Sequence, residues 1–231
     1  MPRRLRAVAV GYPHHVTQRG NDRRTVFTDT DDYARYRQWL ACYAGKYGLD
    51  IWAYCLMPNH VHVVAVPTTE GALAMVFNLV HMQYAKYRNG KSRATGHLWQ
   101  GRYFSCVLDE PHVYAAVRYV ELNPVRSGLA GSAGEYAWSS ARSHLSGAPD
   151  PVLSGSCYLT ETIADWQDYL GDDRYRDAQK DVIRATKCGR PCGSEDFLRQ
   201  LEALTGRRIL PLRPGRHRRT GAALPPDPHQ Q

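Results

Sequence analysis

"LMPNHVHVVAVP" (residues 56–67) places two histidines, His60 and His62, one residue apart inside a run that otherwise reads as a buried strand. Strand side chains alternate between faces, so His60 and His62 share one face while Val61 and Val63 take the other. "IWAYCLM" (51–57) reads as a second strand, and Pro58-Asn59 between them is a turn signal, which makes the pair a hairpin. Two imidazoles so placed can hold a metal ion. They can equally be half-exposed histidines on a polar sheet face, and only a third ligand and a reacting group elsewhere decide between the two.

Outward from the hairpin, "HHVTQRG" (14–20) reads as a strand. Asp31 and Asp32 open a helix to about Lys46, with Tyr33, Tyr36, Trp39, Leu40 and Tyr43 at core-facing spacing and Gly48 after its end. A second helix spans about 71–89, and "YFSCVL" (103–108) is a strand. A third helix has Asp109 as its cap, Pro111 in its first turn and Pro124 as its stop. The order β-α-β-β-α-β plus a helix predicts an α+β fold. It is a ferredoxin-like (RRM-like) antiparallel sheet with helices on one face, leaving the other face free to hold a site.

Beyond Gly128 the pattern weakens. "EYAWSSARSHL" (135–145) is a short helical connection, and "SGAPDPVLSGS" (146–156) reads as a boundary. "SEDFLRQLEALTGR" (194–207) is a capped helix, and six arginines follow between Arg207 and Arg219. The expected division is 1–146, then a small, mainly helical, basic C-terminal region over 147–219 in contact with DNA, then a disordered tail over 220–231.

The 231 residues are 43% hydrophobic and 23% charged, with a formal charge of +8. That surplus suggests an anionic partner, nucleic acid first. None of the six cysteines forms a CxxC pair, and three lie in apolar runs, so buried free thiols are expected. No apolar run reaches membrane-spanning length, which predicts a cytoplasmic protein with no membrane partner.

The third helix supplies possible companions for the histidines. Tyr119 and Asn123 are four apart and share a helix face, so a carboxamide oxygen there can complete a two-histidine site with a tyrosine alongside. Tyr114 is followed four residues on by Arg118, which binds no metal. In the basic loop "NGKSRATGHLWQGR" (89–102), Lys91, Arg93 and Arg102 can meet phosphates, and Trp99 and the following Tyr103 can stack on unpaired bases. The alternative is that both rings cap the core. Arg19 and Arg23 are weaker candidates of the same kind, and Arg207 and Arg208 begin the C-terminal arginine run.

"MPNHVHVV" (57–64), "GHLWQGRYFS" (96–105) and "RYVELNPVRSGL" (118–129) together resemble the single-tyrosine HUH transposases, in particular the REP-associated tyrosine transposase branch. "HHVTQRGNDR" (14–23) also looks like the family's first strand and turn. The resemblance covers about residues 10–145. It implies that Tyr119 is the nucleophile on a DNA phosphate and that His60, His62 and Asn123 hold Mg²⁺ or Mn²⁺. It further implies a single-stranded or hairpin DNA substrate, and a monomer or homodimer acting at the nucleoid. Two other readings stay open on the residues alone: a catalytically idle single-stranded nucleic-acid-binding module, and a small-molecule metallohydrolase.

Overall fold

A computed structural model describes residues 7–210. Four strands form one antiparallel sheet: β1 (His14–Arg19), β2 (Leu49–Met57), β3 (His60–Pro67) and β4 (Phe104–Val107), in the order β2-β3-β1-β4. Two crossover helices, α1 (Thr30–Tyr47) and α2 (Ala72–Ser92), link β1 to β2 and β3 to β4. This is the ferredoxin-like arrangement the element order predicts.

The sheet face carrying Val16, Ile51, Tyr54, Leu56, Val61 and Val63 buries them against Tyr36, Leu40, Leu73, Phe77 and Tyr84 of α1 and α2. Each such fully buried side chain contributes roughly 1.5–3 kcal/mol. α1 starts where Asp29 accepts from the Asp32 amide and ends at Gly48, whose φ of 69° suits glycine. The register of β2 against β3 shifts between Ile51 and Ala53, so one extra residue at Trp52 hands the apolar alternation from one face to the other.

The opposite face is not bare. α3 (Glu110–Glu121) packs across it through Val113, Ala116, Val117 and Val120, against Ala53, Cys55, Val64 and Cys106. α3 starts at Asp109, which accepts from the His112 amide. Pro124 does not simply end it: after Leu122 a short helix, α4 (Asn123–Arg126), begins with that proline in its first turn, where a missing N–H costs nothing.

α5 (Ala141–Ser146) follows, and the described part of the C-terminal region adds α6 (Leu159–Thr162), α7 (Trp166–Gly171), α8 (Arg176–Cys188) and α9 (Glu195–Thr205). It is helical as expected, but the chain past 146 does not leave the sheet. Trp166, Tyr169, Leu170 and Val182 share the core of α3, and Cys192 bridges in parallel to Leu108 just after β4. At the end of α3, the fully buried Glu121 accepts from Ser140 Oγ at 2.5 Å, His144 Nδ1 at 2.6 Å and Trp166 Nε1 at 2.8 Å. A carboxylate buried without such partners would cost several kcal/mol.

Among the described residues, all six cysteines are free, four of them buried and Cys42 and Cys188 exposed. No helix among them is long and apolar enough to cross a membrane. Arg213, Arg216, Arg218, Arg219 and the expected tail lie outside the described residues.

Candidate active site

The β1–β3 register pairs Thr17 with His62 and Arg19 with His60, so Arg19, His60 and His62 lie on the face that α3 covers. His15, two residues before Thr17, lies on it as well. The His60 and His62 ring centroids are 4.8 Å apart. Tyr119 projects from α3 onto this cluster, edge-to-face with His62 at 5.2 Å and with His15 at 5.9 Å. Tyr119 is half-buried, and the Arg126 guanidinium of α4 lies 5.4 Å from its ring centroid. Asn123 follows one turn later, 7% exposed, with its side-chain nitrogen unpartnered.

Tyr114 goes elsewhere. Its hydroxyl meets Thr162 Oγ1 at 3.2 Å and its ring stacks on Tyr175 at 6.0 Å, within the C-terminal packing.

Burial sets the protonation of the two histidines. Desolvation, helped by the Arg19 charge, lowers the His60 pKa to about 4. The same burial holds His62 well below its ordinary value, reinforced by His15, His60 and Arg19. Both rings are therefore neutral near pH 7, each with one lone pair to offer. His60 Nδ1 lies 2.6 Å from Asn59 Oδ1, while Asn59 Nδ2 donates to the Arg23 carbonyl at 3.1 Å. The carboxamide oxygen can only accept, so the His60 proton sits on Nδ1 and Nε2 is bare. His62 Nε2 is buried with no hydrogen-bond partner. Imidazole nitrogens and a carboxamide oxygen are donor types that suit a divalent ion tolerating nitrogen ligands.

Beside Tyr119 the cluster opens into a cavity of about 160 Å³ whose walls include Arg19, Gln100 and Lys187. The loop after α2 reaches it because Gly20 and Trp99 bridge, with the Asn21 amide donating to Leu98 O and the Gln100 amide to Arg19 O, each at 2.8 Å.

The sequence-predicted DNA contacts divide. Arg19 lines the cavity, and Arg23, Arg93, Arg102, Arg207 and Arg208 are exposed. Trp99 is not a stacking platform. It is 8% exposed, packs 4.8 Å from His81, and donates its indole N–H to His81 O. Tyr103 is 4% exposed, with its ring 5.2 Å from Phe77. Both rings are drawn inward because α2 offers them an apolar wall. Lys91 donates to Asp29 at 2.6 Å and to Asp32 at 3.0 Å, on the α1–α2 side of the molecule. Arg126, His15, Gln100, Thr186 and Lys187 join the site without having been singled out. For His15 a signal existed, since it shares its strand face with Thr17 and Arg19.

Residues 9–123 match the family described as "Transposase IS200 like". Over that segment the chain belongs to this family of DNA-processing transposases. One similar solved structure is that of the REP-associated tyrosine transposase bound to a REP hairpin. It is 20% identical with a TM-score of 0.51, and the match covers 68% of this chain and 93% of that one. A second, provisionally named a transposase and from Deinococcus radiodurans R1, is 17% identical with a TM-score of 0.37, over 55% and 98%. No curated protein matches the chain in sequence.

Proposed function

We propose that the protein is a metal-dependent single-stranded DNA endonuclease and strand transferase that works through a 5′-phosphotyrosine on Tyr119. One observation carries the reading: Tyr119 meets His62 in a cleft where the buried His62 Nε2 has no partner. His60, His62 and Asn123 would hold Mg²⁺ or Mn²⁺. That ion, when bound, polarises the scissile phosphate and offsets charge on its oxygens.

The chain's own residues supply the rest. The Tyr119 phenol oxygen attacks phosphorus and gives up its proton; the P–O3′ bond breaks, and the leaving 3′-oxygen takes a proton. One phosphoester bond is exchanged for another, so the step is reversible and strands can be rejoined. Arg19 and Lys187, in the walls of the same cavity, orient the phosphates on either side of the break. The hairpin in the REP-bound structure supports REP-like hairpin DNA as the substrate. In this reading the protein acts at the nucleoid, as a monomer or a homodimer.

The test incubates single-stranded hairpins from the gene's flanks with the protein and Mn²⁺, followed on a denaturing gel. Cleavage with a covalent protein–DNA band, abolished by EDTA and weak on blunt duplex, is expected. Full activity in EDTA, or equal cleavage of duplex, sinks the proposal.

A further inference from the structure

We propose that Thr186 and His15 are positioning residues that fix the tautomer of His62 and so aim its Nε2 lone pair at the metal, a relay that begins in the C-terminal region. The proposal rests on the metal site above and adds the part of it that no local motif contains.

The chain of hydrogen bonds is directional. Thr186 lies on α8 and is 2% exposed. Its single hydroxyl proton goes to the Val182 carbonyl at 2.8 Å. The oxygen is thereby left as an acceptor. It lies 2.7 Å from His15 Nδ1 and 3.1 Å from Cys106 Sγ, so both of these donate to it. A neutral imidazole carries one proton, and His15 has placed its own on Nδ1. His15 Nε2 must then accept, and its neighbour at 3.0 Å is His62 Nδ1. His62 in turn has its proton on Nδ1, and its Nε2 is bare. That is the buried nitrogen left without a partner.

Ring geometry agrees. His15 and His62 are within 6° of parallel with centroids 5.2 Å apart. With their nitrogens at 3.0 Å, that separation fits two rings joined edge to edge in one plane, as an N–H···N bond requires, rather than a face-to-face stack. His60 reaches the same tautomer by a separate route through Asn59, so the two ligands are oriented independently. Only the His62 route draws on a residue from beyond 146.

Partners of metal-bound histidines commonly change metal affinity or activity by ~10–100-fold when removed. Thr186→Val keeps the side-chain shape and deletes the hydroxyl, whereas Thr186→Ser keeps the hydroxyl. The experiment uses full-length ¹⁵N-labelled protein without metal or DNA. Long-range ¹H–¹⁵N spectra report the tautomers, and a Mn²⁺ titration followed by electron paramagnetic resonance reports affinity. Expected are Nδ1–H tautomers for both His15 and His62 in the wild type. Thr186→Val should give a second tautomer and Mn²⁺ binding weaker by about tenfold or more, with Thr186→Ser close to wild type. A wild-type His62 protonated on Nε2 overturns the relay, whether or not the valine variant folds. So does a folded Thr186→Val with unchanged tautomers and affinity. Wild-type tautomers as drawn, with no Mn²⁺ bound, overturn the metal reading instead and leave the hydrogen-bond order standing.

Discussion

The ring of Tyr119 meets that of His62 edge-to-face at 5.2 Å, whereas Tyr114, on the same helix, stacks on Tyr175 of the C-terminal region. Tyr119→Phe removes one hydroxyl and no phosphate contact. It should abolish the covalent protein–DNA band while leaving hairpin affinity within about twofold of wild type, inside the few tenths of a kcal/mol usual for a surface change. Tyr114→Phe should retain the band. A denaturing gel beside a binding titration checks both, and the opposite pattern would move the nucleophile.

Asn123→Ala should weaken Mn²⁺ binding by ~10–100-fold, the range found when metal-site partners are lost. DNA affinity measured in EDTA should change little, because Asn123 is buried. A metal titration superimposable on wild type would remove Asn123 from the site.

Trp99 and Arg102 lie three residues apart in one loop and should behave oppositely. Trp99→Ala empties a site among Tyr36, His81 and Tyr84, and should cost ~3–5 kcal/mol of stability. Arg102→Ala, at an exposed position, should leave the melting temperature alone. It should make the salt dependence of single-strand binding shallower by about 0.7 in log–log slope if the guanidinium neutralises one phosphate. Melting curves and salt titrations separate the two, and a large drop in melting temperature for Arg102→Ala would contradict the assignment.

The start of α3 predicts a pH signature. His112 Nδ1 lies 2.5 Å from Asp109 Oδ1, and that bond, with Cys192 assisting, raises the His112 pKa to about 10. Asp109 is held below its ordinary value, so it stays charged throughout this window. A folded-state pKa above the unfolded 6.5 gives stability that is fully present below pH 6.5 and lost as pH rises through about 10. His112→Gln should therefore be less stable than wild type at pH 6, by ~1.5–3 kcal/mol for a charge-assisted bond. The gap should close as pH approaches 10. Denaturant melts across this range check it, and a gap that widens with pH would reverse the sign.

How much of this was legible in the sequence depends on distance along the chain. Strand alternation put His60 and His62 on one face, and a four-residue interval put Tyr119 and Asn123 on one turn, because both periods are local backbone geometry. Asp109 and Gly48 announced helix ends for the same reason. Trp99 and Tyr103 misled because a basic loop is read as exposed, and only the folded α2 shows the apolar wall that receives them. The boundary at 146 looked plausible because glycine, proline and serine mark chain turns. They do not say whether the chain then departs or returns. His15 is 47 residues from His62 and 171 from Thr186, and no spacing rule spans such separations.

Glu121 ties the C-terminal region to the rest of the chain. Its carboxylate answers to Ser140, to His144 and to Trp166, so both the linker after α4 and the start of α7 hold the end of the helix that carries Tyr119. A segment fastened in this way is no interchangeable cassette. A chimera joining residues 7–146 to a foreign DNA-binding tail would lose the indole that donates to the fully buried Glu121 carboxyl group, along with the threonine facing His15. In any such exchange Glu121 and Trp166 have to be kept together.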